Sequence, residues 1–238
     1  MTTPQPLTYY IILLPQPPEM DSVVRQMARL AQEEEDVIRR KLETTTYEVL
    51  GRFSRRANAE GLLQQVRAFG VNAIMVSDQD MRTHLIMSMA TANRGAGGIA
   101  FRDYQDKPLY CPFDDIAAAG LLEVGREDGS TTLLIDLYRR STNIIPRLDA
   151  DLFDFEKMLG APGAQAKNFI AEMQLQPSFA VNQDFAANKA HLVETARDFA
   201  SRPVVFSPSL AESLVAYNHD EMAAANIYSY ILASAVKA

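Results

Sequence analysis

The chain has 238 residues, of which 47% are apolar and 22% are charged, and its net charge is −7 at neutral pH. Such a composition is typical of a globular protein, and the length accommodates two compact domains. The acidic balance disfavours nucleic acid as a partner, because a surface that follows phosphates needs clustered Lys and Arg.

Cysteine content and the two ends of the chain bear on the cellular compartment. A single cysteine, Cys111, excludes an internal disulfide and indicates a reducing compartment. No basic segment precedes Leu7, and the apolar run Tyr9–Leu14 is too short for the core of a signal peptide. The apolar stretch Ala223–Ala238 is too short and too polar to cross a bilayer. We therefore expect a cytoplasmic protein with no integral membrane segment.

Residues 7–78 predict a small α+β module, which opens with a strand and two helices. The run Thr8–Leu14 is apolar and rich in aromatic and β-branched residues, which is typical of a strand buried on both faces. Apolar residues then recur at helical spacing from Met20 to Ala31. The acidic run Glu33–Asp36, followed by Arg39–Lys41, predicts a second and shorter helix, since the charges suit its dipole.

The same module continues with a strand, a helix and a strand. Apolar and polar residues alternate over Tyr47–Phe53, which predicts a strand with one solvated face. An apolar stripe from Ala59 to Phe69 predicts a helix that ends at Gly70, and Val71–Val76 predicts the last strand. The predicted order is therefore strand, helix, helix, strand, helix, strand.

This order and the stretch Asn58–Val76 resemble two bacterial folds, the C-terminal domain of the ribosomal stalk protein and the adaptor of the Clp protease. The Asn-Ala-Glu-Gly-Leu opening at Asn58 is also similar to the cell-division-associated repeat that binds peptidoglycan. Two contact segments differ: Leu14–Pro18 stands in place of the Asn-Asp-Asp turn of the Clp adaptor, and Val23–Arg29 in place of the lysine-rich helix of the stalk protein. The resemblance therefore implies a fold that binds other proteins, with no particular partner.

Residues 83–175 predict an antiparallel β-rich module, because the apolar period changes to two after Met81. Five or six short strands, among them Pro108–Pro112 and Ile116–Val124, are followed by a helix over Ala164–Leu175. Strands that close on a helix in this way suggest a barrel or a sandwich. Leu109–Ile116 followed by Thr132–Tyr138 resembles pleckstrin-homology-like domains, which bind lipid headgroups or peptides. Residues 79–145 hold seven basic and nine acidic residues, which disfavours lipid binding.

Residues 176–238 predict a helical tail. Helices are predicted over Asp184–Ala200 and Asp220–Lys237, with a proline-punctuated connection and a short helix at Leu210–Ala216. The last helix carries an apolar stripe, which predicts packing onto its own domain or docking on a second copy or another protein.

The residue types that most often carry chemistry are scattered in this sequence. His84, His191 and His219 lie far apart, and none has metal-ligand spacing such as His-Glu-x-x-His. We interpret Cys111 as a small core residue, because no activating base is adjacent to it.

Two further segments are interpreted as turns. Arg94–Gly98 predicts a hairpin loop, since it lacks the Lys-Ser/Thr of a phosphate-binding loop and no helix follows it. Asp114 and Asp115 lie between strands, where acidic residues are common. The sequence therefore predicts no catalytic residue, no cofactor and no metal.

These observations favour a non-enzymatic cytoplasmic adaptor or scaffold that binds another protein of unknown identity. The predicted binding surface is the exposed part of the first two helices, with Arg25, Arg29, Arg39 and Arg40. A second candidate is the apolar C-terminal helix, which would allow a homo-oligomer.

The alternative function is a hydrolase or transferase with its site at the junction of the two modules, where pockets often form. Such an enzyme would have to use residues that only the fold brings together, such as His84 with Asp114 or Asp115.

Overall fold

The computed structural model describes residues 8–14, 21–43, 48–176, 179–200 and 216–237. Its contacts divide the chain into a first unit, Met1–Thr83, and a second unit, His84–Lys237. Each unit contains both helices and strands, which confirms the predicted α+β class. The predicted helix at Leu210–Ala216 and the start of the predicted strand at Tyr47 lie outside the described residues.

The first unit is built around a three-stranded sheet. Its described elements, in chain order, are β1 (Tyr9–Leu13), α1 (Asp21–Ala31), α2 (Glu35–Glu43), β2 (Glu48–Phe53), α3 (Arg56–Ala68), β3 (Ala73–Ser77) and α4 (Asp78–Thr83). The strand order is β2-β1-β3, and both neighbours run antiparallel to β1. A bulge on β2 leaves Leu50 unpaired, because Ile11 lies opposite Gly51 and Ile12 opposite Val49.

The apolar core of the first unit lies between this sheet and helices α1, α2 and α3. Met27 of α1, Ile38 of α2 and Val66 of α3 are fully buried in one cluster with Ile11 and other sheet residues. Burying side chains of this size contributes about 1.5–3 kcal/mol each. The remaining residues of β1 from Tyr10 onward are buried as well, so both faces of this strand are covered, as predicted.

The second unit contains a larger sheet and four helices in the part of the chain that the structure describes. The elements are β4 (Leu85–Gly95), β5 (Gly98–Asp103), β6 (Pro108–Pro112), β7 (Ile116–Gly125), β8 (Thr131–Arg139), β9 (Ile144–Asp149), α5 (Phe155–Leu159), α6 (Ala166–Met173), β10 (Ala180–Asn182), α7 (Phe185–Ala200) and α8 (His219–Lys237). The strands form one sheet in the order β10-β7-β8-β9-β4-β5-β6.

This sheet corrects two sequence-based expectations. It is open, with β10 and β6 at its edges among the described strands, so the predicted barrel is not closed. It is also mixed, because β9 runs parallel to β4 and β10 runs parallel to β7. The alternation of apolar residues assigns each strand its faces, but it carries no information on which distant strand becomes the neighbour.

The residues of the predicted helical tail, 176–238, belong with the second unit by their contacts, where the structure describes them. β10 adds a parallel strand next to β7, and α7 and α8 contact β7. Helix α8 also contacts β8, and its residues from Ala224 to Ala233 are all buried. A helix that is apolar on all sides is stable only when neighbouring elements cover it, so this segment cannot form a separate solvated tail.

Candidate functional site

Three of the four arginines predicted to bind a partner are exposed on the first two helices. Arg25 and Arg29 lie one helical turn apart on α1, whose Val24 and Met27 are buried. Arg40 is exposed on α2. We call the exposed surfaces of α1 and α2, which carry Arg25, Arg29 and Arg40, the arginine face.

Arg39, the fourth predicted residue, has a different environment. Its Nη2 lies 2.8 Å from Asp21 Oδ1, and its side chain is 34% exposed. Arg25 Nε donates a hydrogen bond of 3.3 Å to the backbone oxygen of the same Asp21. The structure thus brings Arg25 and Arg39 together at the start of α1, where Arg39 is neutralised by a carboxylate.

The arginine face holds cationic groups without an ionic partner. Within the described residues, no carboxylate pairs with the side chains of Arg25, Arg29 or Arg40. Arg25 and Arg40 donate their Nε only to backbone oxygens one turn earlier, at Asp21 and at Asp36. An arginine side chain has five N–H donors, so each retains donors for another molecule.

The second unit shows the opposite arrangement. Of its arginines with a described side chain, all but Arg140 form an ion pair: Arg94 with Glu172, Arg102 with Asp106, Arg126 with Asp151, Arg139 with Asp115 and Arg147 with Asp136. Arg140 donates to the backbone oxygen of Asp114. Ion pairing is thus more frequent among the described arginines of the second unit, although Arg56 of the first unit also pairs, with Glu60 at 2.7 Å.

Acidic residues lie close to the arginine face along the chain. Glu34, Glu35 and Asp36 are exposed at the start of α2, where the positive end of the helix dipole stabilises them. Lys41 Nζ binds the carboxylate of Glu33 at 2.8 Å. This surface is consequently of mixed charge rather than uniformly basic.

A second polar cluster is buried in the second unit, between β8, β9 and α8. Arg147 on β9 donates from Nε and Nη2 to the two carboxylate oxygens of Asp136 on β8, both at 2.7 Å. Its Nη1 donates to Asn226 Oδ1 at 2.6 Å, and Ser229 donates to Asp136. Because the two strands and the helix each supply polar groups, the cluster fixes α8 on the sheet.

A cavity adjoins this cluster. It measures about 10 Å³, and its wall includes Tyr104, Arg147, Asp149 and Tyr217. A space of this size holds about one water molecule. The carboxylate of Asp149 accepts hydrogen bonds from Thr132 and from Tyr217, so it is already engaged.

The Tyr217 hydroxyl is a fixed donor in this cavity wall. Burial and the hydrogen bond to Asp149 raise the pKa of Tyr217 far above its usual value. The phenol of Tyr217 therefore stays protonated at physiological pH. It donates its proton in the hydrogen bond to Asp149 and cannot act as a base.

The acidic residue most relevant to the predicted enzyme, Asp115, is held by structural contacts. Arg139 Nε donates to it at 2.7 Å, and the backbone N–H of Ser141 does so at 2.7 Å. Burial alone would raise the pKa of Asp115, but the hydrogen bonds from Ser141 and Arg139 outweigh burial and lower it. His84 is buried and packs edge-on against Tyr230, with ring centroids 5.8 Å apart.

Two other interpretations from the sequence agree with the structure. Cys111 is fully buried, and burial raises the pKa of its thiol to about 11, so it is protonated at neutral pH. Arg94–Gly98 spans the turn that joins β4 and β5, as expected of a hairpin loop. His219 begins α8, and the side chain of His191 lies outside the described part of the structure.

The buried Asp136–Arg147 pair was not predicted from the sequence. One charged residue stands in each of two otherwise apolar strands, at Asp136 within Thr132–Tyr138 and at Arg147 within Ile144–Leu148. An isolated acid and an isolated base in neighbouring buried strands are the signal that would have indicated the pair, because a buried charge needs a partner.

No group of three or more His, Cys, Asp or Glu side chains suited to a metal ion is found among the described residues. None of the helices in the described ranges has both the length and the apolar character needed to cross a membrane. Comparisons with protein-family models, with curated proteins and with solved structures find no match to this chain. The resemblances named above therefore stay predictions.

Proposed function

We propose that this chain is a cytoplasmic protein-binding adaptor or scaffold of bacterial type, without enzymatic activity, and that it binds its partner through the arginine face. The observation that carries the proposal is the contrast in arginine pairing. Arg25, Arg29 and Arg40 are exposed without a carboxylate partner among the described residues, whereas nearly all described arginines of the second unit are paired.

Arginine is suited to this role. It is enriched among the residues that dominate the affinity of protein interfaces, since its planar guanidinium forms several directed hydrogen bonds and also packs through its apolar stem. The helices that carry these three arginines are anchored in the core by buried Met27 and Ile38. A backbone that is already folded loses less conformational entropy on binding than a segment that must first become ordered.

The fold of the first unit supports the same function. We propose that it is related to the stalk-protein and Clp-adaptor folds, because its elements from β1 to β3 follow the order on which the resemblance rests. We do not propose a relation between the second unit and pleckstrin-homology-like domains. Its sheet contains two parallel strand pairs, whereas the resemblance predicted an antiparallel module.

The alternative, a hydrolase or transferase, has no specific contact in its favour within the described residues. Asp115 is bound by Arg139 and Ser141, and the cavity beside Arg147 has room for about one water molecule. The enzyme stays a prediction from the sequence.

The second candidate surface, helix α8, is less favourable than the arginine face. Met222, Ala225, Ile227, Ile231 and Leu232, which form most of its predicted apolar stripe, are all buried within the chain. A second copy would have to displace α7 or the sheet to reach them, so a homo-oligomer through this helix also stays a prediction.

The proposal is tested by affinity purification from cells of the source organism, with mass spectrometry of the bound proteins. The variant R25E/R29E/R40E is expected to lose a partner that the unaltered chain retains. The matched control is K107E/K157E/K167E, which changes the net charge equally at exposed lysines of the second unit. Retention of every partner by the first variant would contradict the proposal.

A further inference from the structure

The small cavity beside Arg147 lies on one face of the larger sheet, near the start of α8. Ser88 of β4 lies opposite Arg147 of β9, and Asp149 follows Arg147 on the same face of β9, because alternate residues of a strand share a face. Tyr104 and Tyr217 also line the cavity. Segments that are distant along the chain therefore bring polar side chains to the wall of one small space.

The hydroxyl of Tyr104 lacks a protein partner in this wall. Its oxygen is buried, and no side chain or backbone group among the described residues forms a hydrogen bond with it. Burying a hydroxyl without a partner is costly, so nearly all buried polar groups bond to the protein or to an ordered water molecule. The Tyr104 hydroxyl therefore calls for a partner inside the cavity.

The Asp149 carboxylate has capacity for one more donor. Its Oδ1 accepts hydrogen bonds from Thr132 at 2.9 Å and from the backbone N–H of Asp151 at 2.8 Å, and its Oδ2 accepts one from Tyr217. A carboxylate has about four acceptor sites, so Oδ2 retains one. Burial raises the pKa of Tyr104, and the nearby charge of Asp149 raises it further, so the Tyr104 phenol stays protonated and can donate.

The size of the cavity selects the molecule that can fill it. Its volume of about 10 Å³ is that of one water molecule and is too small for a metabolite. We propose that the cavity binds one ordered water, which accepts a hydrogen bond from Tyr104 and donates to Asp149 Oδ2 and to the Tyr217 hydroxyl oxygen. Three such bonds are the usual number for a buried water.

The bound water links parts of the second unit that no backbone ladder joins. Tyr104 directly follows β5, Asp149 ends β9, and Tyr217 lies just before α8. In the sheet β4 separates β5 from β9, so the main chains of these two strands do not pair. The water site does not rest on the proposed function, because every residue that forms it belongs to the second unit.

A crystal structure of the full chain, at a resolution that shows ordered waters, tests the site directly. We expect one peak of electron density in the cavity, within about 3.2 Å of both the Tyr104 hydroxyl oxygen and a carboxylate oxygen of Asp149. Two results would overturn the inference. One is a cavity without density, and the other is a Tyr104 hydroxyl that donates directly to Asp149 with no water between them.

The variant Tyr104→Phe tests the same site in solution through the sign of its effect on stability. It removes one hydrogen bond of the bound water, so we expect the melting temperature to fall by about 2–4 °C. The control Tyr110→Phe makes the same change at a residue that is 55% exposed, and it should leave the melting temperature unchanged. A higher melting temperature for Tyr104→Phe would contradict the inference, since it would mean that the hydroxyl is buried without any partner.

Discussion

Arg147 is the residue whose environment departs furthest from that of an ordinary arginine. Its side chain is 2% exposed, and its partner Asp136 is completely buried. Removing an isolated charge from water costs many kcal/mol, so neither residue would be tolerated at its position alone. Paired in two hydrogen bonds, and further bonded to Asn226 and Ser229, they specify where α8 contacts the sheet.

Breaking this pair is expected to destabilise the protein strongly. Replacing Asp136 with Ala leaves the Arg147 guanidinium buried without its anion, which should lower the free energy of unfolding by about 3–5 kcal/mol. Urea denaturation followed by circular dichroism measures the change. Glu60→Ala, which removes the exposed pair with Arg56 on helix α3, serves as the control and should shift stability by no more than about 0.5 kcal/mol.

One result would contradict this account of the Asp136–Arg147 pair. A D136A protein as stable as the control would show that Arg147 is not confined to the buried position. The double variant D136L/R147M, which removes both charges, is expected to recover most of the lost stability, because no unpaired charge remains.

Glu221 makes stability depend on pH. Its carboxylate accepts hydrogen bonds from the backbone N–H of Gly125, at 2.6 Å, and from Lys189 Nζ, at 2.9 Å. Burial opposes ionisation, but these two donors outweigh it and lower the pKa of Glu221 below 4.5, its usual value. A group with a lowered pKa contributes stability above its unfolded-state pKa and loses that contribution as the pH falls through its folded-state pKa.

We therefore expect the free energy of unfolding to fall as the pH is lowered below about 4.5, with Asp115 contributing in the same direction. Thermal unfolding between pH 3 and pH 7 measures this. Glu221→Gln should be less stable than the unaltered chain at pH 7 and should lose less stability on acidification. Parallel pH profiles for the two proteins would contradict the assignment to Glu221.

At the scale of elements, edge strand β6 shows how the larger sheet is protected from pairing with other chains. Phe113 N–H donates to Gly97 O and Asp103 N–H donates to Lys107 O, which fixes the alternation of the antiparallel ladder between β5 and β6. Residues 107, 109, 111 and 113 therefore direct their backbone groups towards β5. Pro108, Tyr110 and Pro112 direct theirs to the free edge, where the two prolines offer no N–H.

Restoring these donors should make the edge associate. In the variant P108V/P112V, three outward N–H groups replace one, so we expect concentration-dependent self-association, measured by light scattering. Pro162→Val, at an exposed position outside the strands, is the control. A monomeric double variant at all concentrations would show that the prolines do not protect this edge.

Most individual elements were predictable from the sequence, but their arrangement was not. The predicted strand over Pro108–Pro112 agrees with β6, and that over Ile116–Val124 agrees with β7 to within one residue. Apolar alternation and turn residues determine such segments locally. The parallel pairing of β9 with β4 joins Leu85 to Ile144, and no local pattern encodes a contact over that separation.

The candidate site shows the same division between local and non-local information. The exposure of Arg25 and Arg29 follows from the apolar stripe of α1, so the sequence sufficed to place them on the solvated side. The pairing of Arg39 with Asp21 depends on how α1 and α2 pack, which the sequence does not specify. Asp136 and Arg147 were missed because their partnership requires knowing that β8 and β9 are neighbours.

At the scale of the whole molecule, we expect the second unit to fold only when helix α8 is present. It contacts α7, β7 and β8, and it supplies Asn226 and Ser229 to the buried cluster. Deleting residues 219–238 would expose this face of the sheet and leave Arg147 and Asp136 without two of their partners. We expect the shortened chain to lose cooperative thermal unfolding, whereas deletion of residues 236–238 alone should preserve it.

At the scale of the whole chain, the described arginines differ in their ion pairing between the two units. In the second unit the described arginines mostly neutralise acids and stabilise the fold, as Arg139 does with Asp115 and Arg126 with Asp151. In the first unit three exposed arginines do not take part in such pairs within the described residues. This separation is the basis for assigning recognition to the first unit.

Photo-crosslinking in living cells tests the central claim most directly. A photoreactive amino acid is placed at Gln26, which is exposed on α1 between Arg25 and Arg29, and in a second protein at Lys157, which is exposed in the second unit. We predict a discrete crosslinked protein from position 26, lost when R25E/R29E is combined with it, and none of that mass from position 157. The absence of any protein adduct at position 26, in cells where the chain is expressed and folded, would contradict the claim that the arginine face binds a protein partner.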